Sequence, residues 1–336
     1  MRAEACSAPE VIARQLHSQQ AAFADLGRTL RALNPQVVAT VARGSSDHAA
    51  NYFAYLVMSK LGKLVSSVPM SLVTLQQAPL AVQNTLALAI SQSGQGPDVI
   101  RTMGYFAEHG AHTVALVNDI QSPLAQGVAS AIDLCAGPEK SVAATKSFLA
   151  SLVASAALVA QWSGDQALQN ALERLPEALT LACQEDWSLG AEQLVDAERI
   201  MVVGRGLGLS AALEAGLKCK ETSALQAEAF SGAEIVHGPM AMIEEGYPLL
   251  IFATQGPEQP GLLQLAADMR AKGARVVLAA TADVAERTLT LPSAPADELS
   301  AIVAIQCFYL MVEKLALARG LNPDVPKHLN KVTKTL

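Results

Sequence analysis

Aliphatic runs alternate with amphipathic stretches along the first half of the chain. The runs show no two-residue alternation, which is typical of strands buried on both faces of a parallel sheet. The predicted strands are 37–42, 64–68, 86–90, 112–117 and 131–135. Helical periodicity covers 9–32, about 48–60, 97–109 and most of 143–196. This strand–helix rhythm predicts an α/β fold with right-handed crossovers.

The second half of the chain repeats the first at an offset of about 162–163 residues. Val41-Ala-Arg-Gly-Ser matches Val203-Gly-Arg-Gly-Leu, and Ala89-Ile-Ser-Gln-Ser-Gly matches Ile251-Phe-Ala-Thr-Gln-Gly. Thr113–Val117 likewise matches Val276–Ala280. We therefore predict two copies of one α/β domain, over residues 1–185 and 186–320, followed by a tail at 321–336.

The turn after the strand at 86–90 has the character of an anion site. It is rich in hydroxyl groups and glycine, and Pro97 occupies the expected first helical position, so free N–H groups and the helix dipole meet there. The second copy has Ala253, Gln255 and Leu207 where the first has serines. We expect phosphate binding in the first copy only, with the second degenerate. The predicted phosphate-binding residues are Ser45, Ser46, Ser91, Gln92, Ser93, Gly94 and Gly96.

Composition limits which binding partners and which cellular compartment the sequence predicts. The net charge of −7 argues against nucleic acid, and the apolar share of 51% favours buried sheets and a subunit interface. Five scattered cysteines without a Cys-x-x-Cys pair predict reduced thiols and no metal site. We expect no secretory signal, and the apolar stretch 147–161 is too short for a bilayer span, so we interpret it as a buried helix at a dimer interface. These features predict a cytoplasmic protein without a membrane partner.

Gly204-Arg-Gly-Leu-Gly208 lacks the spacing of a dinucleotide-binding turn, so no nucleotide cofactor is predicted. The helix after it carries Glu214, Lys218 and Glu221 on one face. A solvated face with a pair worth roughly 0.2–0.5 kcal/mol is the simpler interpretation, and a catalytic carboxylate is the alternative. His237 precedes Gly-Pro, where the backbone is not expected to be helical.

The tail has two prolines and no helical period, and fraying is its default behaviour. Leu329 and Val332 are potential anchors that would carry Lys331 into a cleft.

Several motifs in order make the chain resemble the sugar isomerase (SIS) domain family over essentially its full length. Within that family it is similar to the isomerase domain of glucosamine-6-phosphate synthase and to the SIS-type glucosamine-6-phosphate deaminases. The matching stretches are Ser91-Gln-Ser-Gly, Val142-Ala-Ala-Thr-Lys, Leu213-Glu-Ala-Gly-Leu-Lys-Cys-Lys-Glu, Ala227-Glu-Ala-Phe, Glu234-Ile-Val-His-Gly-Pro and Asp324-Val-Pro-Lys-His-Leu-Asn-Lys. The resemblance implies two tandem SIS domains, each a flavodoxin-like three-layer sandwich.

The resemblance also implies residue roles. Glu221 matches the base that moves a proton between sugar C1 and C2, and His237 matches a ring-opening residue supplied by the neighbouring subunit. Lys331 matches the lysine that reaches the open-chain carbonyl, which it would polarise or bind as an imine. Glu214 and Lys218 match supporting residues. Val142 and Ala144 match sugar-binding positions, and a homodimer is implied.

Departures from the synthase pattern shape the expected activity. Gly96 stands where the synthase has threonine and Ala144 where it has serine, so contacts there are expected to differ. Residue 2 is Arg rather than a cysteine nucleophile, and we expect no glutaminase domain. Arg43-Gly-Ser-Ser-Asp47 is closer to the stand-alone deaminases. We therefore predict a cofactor-free isomerising deaminase that converts glucosamine 6-phosphate to fructose 6-phosphate and ammonia.

Two alternatives remain open at this point. One is a deaminase, deglycase or aldose–ketose isomerase acting on another sugar phosphate, such as galactosamine 6-phosphate or a fructose–amino-acid 6-phosphate. The other is a non-catalytic sugar-phosphate sensor.

Overall fold

The computed structural model describes residues 1–331, and within them helices and strands alternate as the hydrophobic pattern predicts. The strands are β1 Val37–Val41, β2 Leu64–Ser67, β3 Thr85–Ser91, β4 His112–Val117, β5 Ser130–Asp133, β6 Arg199–Gly204, β7 Gln226–Ser231, β8 Pro248–Ala253, β9 Arg275–Thr281 and β10 Leu289–Leu291. The helices are α1 Arg2–Cys6, α2 Ala8–Ser18, α3 Gln20–Leu33, α4 Ser45–Leu61, α5 Ser71–Thr74, α6 Pro97–Glu108, α7 Pro123–Gln126, α8 Lys146–Ser163, α9 Gln166–Ala182, α10 Ser188–Leu194, α11 Gly208–Ser223, α12 Gln259–Ala271 and α13 Ser300–Ala318.

These elements form two compact units. The first-sheet unit contains residues 10–139, 146–173 and, among the described tail residues, Asn330 and Lys331. The second-sheet unit contains residues 1–9, 140–145 and 174–329. Residues 1–9 therefore belong to the unit built mostly from the second half of the chain. Asn330 and Lys331 belong to the unit built from the first half.

The first-sheet unit is built on a parallel sheet with strand order β2-β1-β3-β4-β5. Val38 of β1 pairs with Leu86 of β3, and Leu86 pairs with His112 of β4. One face of this sheet includes Ala39 and Val41 of β1 and apolar neighbours on β3 and β4. This face packs against the layer that holds α5, α6 and α7. Helices α3, α4 and α8 pack together as a second layer, with α4 against β1 and β3.

The second-sheet unit has the order β10-β9-β8-β6-β7. Numbered within the repeat, both sheets read 2-1-3-4-5, the order of flavodoxin-like folds. Met201, Leu249 and Leu278 face α12 in the core on one side of this sheet, and α11 packs on β6 and β7. The predicted tandem α/β fold is confirmed.

The helical periodicity predicted for 9–32 is confirmed, and the stretch forms two helices because the backbone leaves helical geometry at Gln19, with φ −102° and ψ 5°. The predicted start of the next helix needs correction. The helix predicted to begin near His48 begins at Ser45, directly after Gly44, which has φ +54°. Ser45 and Ser46 therefore lie in the first turn of α4 rather than in the preceding loop.

Helix α8 contains the apolar stretch 147–161 and is buried nearly all round, with α3 and α4 of its own unit packed against it. An interface is therefore not needed to explain its composition. Two of its buried hydroxyls are satisfied locally, since Ser151 Oγ and Ser155 Oγ each donate to the carbonyl four residues earlier at 2.8 Å. Of the described residues, only the segment Asp297–Ala318, which includes α13, is long and apolar enough to cross a membrane, and 78% of its apolar 18-residue window is buried. Such burial is typical of a core helix.

Candidate active site

The predicted phosphate-binding residues occupy the carboxyl edge of the first sheet. Because β1 and β3 are parallel neighbours, the turns that follow them lie side by side. Ser45 and Ser46 follow β1, and residues 91–96 follow β3. The order of the sheet reverses between these two strands, which is where ligands of open α/β sheets usually bind. The structure thus brings together two serine groups that are well separated in sequence.

Two hydroxyls of the second turn accept hydrogen bonds from its own backbone. Ser91 Oγ accepts from the Gly94 N–H at 2.9 Å, and Ser93 Oγ accepts from the Gln95 N–H at 3.3 Å. A serine hydroxyl also has an O–H donor, so these bonds do not preclude donation to an anion. Gln92 is half-buried in the same turn.

Gly94 and Gly96 have separate structural roles in this turn. Gly94 has φ +63°, and a Cβ there would lie 2.0 Å from Ser122 Oγ, so no side chain fits. Gly96 is the N-cap of α6, with Pro97 directly after it. The turn therefore ends at the start of a twelve-residue helix, where the Val99 N–H donates to Asp98 Oδ1 at 2.9 Å.

An arginine that the sequence analysis did not single out lies beside these turns. Arg43 Nε donates to Asp98 Oδ2 at 3.0 Å, and Asp98 is only 2% exposed, whereas the Arg43 side chain is 59% exposed. Burial raises the pKa of Asp47 in the first turn of α4, although His48 and Arg43 oppose that rise. Arg43 is thus a cation held at this edge, and its position next to Gly44 in the repeat motif could have indicated it.

The second sheet differs at the equivalent edge. Glu258 stands at the offset position of Gly96, and a Cβ on Gly206 would lie 2.4 Å from its Oε1. A carboxylate at this position disfavours a phosphate. The restriction of the anion site to the first copy stays a prediction.

Helix α11 carries a buried ionic cluster. Lys218 Nζ lies 3.2 Å from Glu214 Oε1 and 2.5 Å from Glu221 Oε2. The side chains of Lys218 and Glu214 are 1% and 0% exposed, so the interpretation as a solvated face is wrong. Tyr309 Oη of α13 donates to Glu214 Oε1 at 3.3 Å.

The electrostatics of the cluster favour a charged Lys218. Burial lowers the pKa of Lys218, but Glu214 and Glu221 more than offset this effect, and the net pKa is raised. Glu221 is 22% exposed and is the member of the cluster that solvent or a ligand can reach. The arrangement is that of an accessible carboxylate held by a fixed ammonium group, which suits proton transfer.

The backbone conformation at His237 differs from the expected non-helical one. It is the last residue of a 3₁₀ helix, Glu234–His237, and a second 3₁₀ helix, Pro239–Met242, follows Gly238. The backbone before Gly238 is therefore helical, because the short Glu-Ile-Val-His turn closes before the proline. The His237 side chain is exposed.

Val142 and Ala144 lie half-buried in a loop of the second-sheet unit. The Val142 N–H donates to the Asp324 carbonyl at 3.1 Å, and Ser141 Oγ donates to Asp324 Oδ1 at 2.6 Å. The amino terminus and Ser141 lower the pKa of Asp324. The Glu4 carboxylate accepts from the backbone of the same loop at Ser141. Sequence reasoning missed these supports, since nothing in the local pattern links residues so far apart.

Lys331 is paired with a carboxylate that sequence reasoning also missed. Its Nζ lies 3.0 Å from Glu139 Oε2, and both residues belong to the first-sheet unit. Leu329 is 43% exposed, so its expected role as an anchor is wrong. Val332 lies outside the described residues.

The predicted site residues thus fall into two groups. The phosphate-binding turns and Lys331 belong to the first-sheet unit, and the α11 cluster, His237, Val142 and Ala144 belong to the second-sheet unit. A family comparison matches the SIS domain over residues 34–161 and again over 193–318. The chain belongs to the SIS domain family.

Relatives of this SIS chain include enzymes named for a sugar phosphate. The chain is 32% identical over 276 residues to the isomerizing glutamine–fructose-6-phosphate aminotransferase of Corynebacterium glutamicum, covering 75% of this chain and 44% of the relative. It is 30% identical over 325 residues to that of Thermus thermophilus, covering 91% and 53%. The chain thus spans about half the length of the curated relatives it matches.

Solved SIS structures extend this similarity. A candidate phosphosugar isomerase from Silicibacter pomeroyi has a TM-score of 0.91 and 40% identity, covering 96% of this chain and 99% of its own. A glucosamine-6-phosphate deaminase from Thermotoga maritima has a TM-score of 0.72 at 20% identity, covering 97% and 100%. The second likeness shows the fold alone.

Proposed function

We propose that the protein is an isomerising deaminase that converts glucosamine 6-phosphate and water to fructose 6-phosphate and ammonia. The observation that carries the proposal is the α11 cluster. It holds an accessible carboxylate, Glu221, at 2.5 Å from the ammonium group of Lys218. An aldose–ketose interconversion removes a proton next to a carbonyl, and a positioned carboxylate is the base that this step needs.

The phosphate group is assigned to the turns at the carboxyl edge of the first sheet. The hydroxyls of Ser45, Ser46, Ser91 and Ser93 offer donors near the N-terminus of α6, and Arg43 adds a positive charge. With a net charge of −7 the protein has no broad positive field, so local donors must capture the anion.

Ring opening and carbonyl activation are assigned from the resemblance to the SIS-type deaminases and to the synthase. His237, whose ring is exposed, moves the proton that opens the sugar ring and leaves an aldehyde at C1. Lys331 acts on this open-chain carbonyl, either as a hydrogen-bond donor or as an amine that forms an imine.

The isomerisation and the loss of ammonia then follow in order. With Lys331 acting as a donor, Glu221 removes the proton from C2 while the C1 oxygen takes up a proton, which gives a C1–C2 enaminol. Return of a proton to C1 leaves a hydroxymethyl group at C1 and an imine at C2. Water adds to this imine, the C2–N bond breaks, and ammonia leaves. The product is the C2 ketone of fructose 6-phosphate, so the atoms balance without an oxidant or a reductant.

The test is ammonia release from glucosamine 6-phosphate by the wild type and by Glu221→Gln. We expect kcat to fall by about 10²–10⁴-fold in the variant, because the amide cannot accept the proton. Glu192→Gln, an exposed change on α10, is the matched control and should retain wild-type turnover. Undiminished turnover in Glu221→Gln would refute the assignment of the base.

A panel of substrates separates the alternatives. Faster turnover of galactosamine 6-phosphate or of a fructose–amino-acid 6-phosphate would identify another sugar as the substrate. Tight binding of sugar phosphates without turnover of any of them would favour the sensor.

The proposal includes a cytoplasmic homodimer. The exposed side chains of Val236 (47%) and Met242 (52%) are close to His237 in sequence, and burying them against a second copy would support a shared site. Sedimentation gives the mass in solution. A monomer that remains fully active would contradict this part of the proposal.

A further inference from the structure

The carboxylate of Glu139 is fixed at the start of helix α8. Ser147 donates to it twice, from its N–H to Oε1 at 3.1 Å and from its Oγ to Oε2 at 2.6 Å. The positive end of the α8 dipole also stabilises a negative charge at this position. The side chain is 0% exposed, so the carboxylate is held in one place and shielded from water.

This carboxylate contacts the ammonium group of Lys331 at 3.0 Å, where Lys331 is 24% exposed. The backbone of residues 327–330 is in neither helix nor strand, and all four residues are exposed. Burial of the tail therefore does not fix Lys331, and a lysine side chain is long and flexible. A buried carboxylate that is itself fixed by two hydrogen bonds can restrict this freedom.

We propose that Glu139 is a positioning residue that holds the Lys331 ammonium group for the carbonyl of the sugar. The inference rests on the proposed function, in which Lys331 acts on that carbonyl. An ammonium group has three N–H donors, so pairing with Glu139 does not exhaust its capacity to donate. Glu139 acts through Lys331 and is not assigned a contact with the substrate.

The central variant is Glu139→Gln. Its amide oxygen can still accept from Ser147, but its NH₂ group cannot pair with the Lys331 ammonium group, since both are donors. We expect kcat to fall by about 10–100-fold, because displacing a reacting group by about 1 Å costs on this order. We expect KM to change little, because the phosphate-binding turns are untouched.

Three further variants test how the loss of kcat depends on the charge and the fixation of Glu139. Ser147→Ala keeps the charge of Glu139 but loosens it, so its loss of kcat should be smaller than that of Glu139→Gln. Glu139→Asp restores the charge with a shorter side chain and should recover part of the rate. Ser151→Ala removes a buried hydroxyl one turn along α8 that donates to the Ser147 carbonyl rather than to Glu139, and it should behave as the wild type.

A second measurement does not depend on turnover. The acetylation rate of Lys331 by acetic anhydride, measured by peptide mass spectrometry, should rise in Glu139→Gln and stay at the wild-type level in Ser151→Ala. Circular dichroism of each variant checks its folding. If Glu139→Gln does not fold, Glu139→Asp is used for both measurements.

The outcomes separate the inference from the function. Wild-type kcat and wild-type acetylation in a folded Glu139 variant, with Glu221→Gln inactive, would overturn the positioning role and leave the proposed function standing. If the wild type turns over no hexosamine 6-phosphate, the proposed function fails, and unchanged acetylation would then also refute the ion pair.

Discussion

The buried ionic cluster of α11 offers the sharpest test of the energetics of this fold. Lys218→Met keeps most of the aliphatic side chain and removes the ammonium group that lies 3.2 Å from Glu214. Both side chains are at most 1% exposed, so the variant leaves a carboxylate in the interior without this cation. Breaking a buried pair in this way costs about 3–5 kcal/mol.

That cost can be converted to a thermal shift. In a unit of this size, about 1 kcal/mol shifts Tm by roughly 2–4 °C, so we expect a loss of about 6–20 °C. The double variant Glu214→Leu/Lys218→Met removes both charges and should recover most of the loss, since replacing a whole buried pair by apolar side chains is often neutral.

The two tryptophans allow each unit to be followed separately. Trp162 belongs to the first-sheet unit and Trp187 to the second-sheet unit, and both are buried. A Trp162→Phe background leaves Trp187 as the reporter for the unit that contains the α11 cluster. Urea and thermal unfolding are then followed by fluorescence at neutral pH.

The pH dependence has a defined sign. The folded-state pKa of Lys218 is raised, so its contribution to stability is fully present below the unfolded pKa of about 10.4. It is lost only as the pH rises through the higher folded value.

Two results would refute the reasoning on the buried pair. One is a loss of unfolding free energy below about 1 kcal/mol in Lys218→Met, and the other is a double variant as unstable as the single one.

Two other predictions concern the phosphate-binding turn and the thiols. Gly94→Ala should destabilise the first-sheet unit by more than the roughly 1–2 kcal/mol of a left-handed alanine, because its Cβ would lie 2.0 Å from Ser122 Oγ. Gly137→Ala, at φ +65° with nothing within 4 Å of the added Cβ, is the control, and equal losses of unfolding free energy in urea would contradict the clash. Burial raises the pKa of Cys183 to about 11, so iodoacetamide at a pH of about 8 should label the exposed Cys6 much faster, as measured by peptide mass spectrometry. Labelling of Cys183 should accelerate as the pH approaches its pKa. Equal labelling rates of Cys6 and Cys183 at a pH of about 8 would contradict the raised pKa of Cys183.

Local sequence determined much of the fold and located the turn that is proposed to bind phosphate. Continuous aliphatic runs such as His112–Val117 identify buried parallel strands, because both faces of such strands need apolar side chains. The turn at Ser91–Gly94 could be located because a buried strand, a glycine and Pro97 define it within a few residues. The internal repeat then contrasted the serine-rich copy with the copy that carries Ala253.

The tertiary structure decided what depends on residues far apart in sequence. Helical spacing alone favours a solvated pair for Glu214 and Lys218, because it does not reveal which face of α11 is covered by α13. Glu139 and Lys331 are 192 residues apart, so no local pattern could have linked them. Sequence periodicity reports only neighbours along one element, whereas the burial of a charge and its partner are set by how separate elements pack.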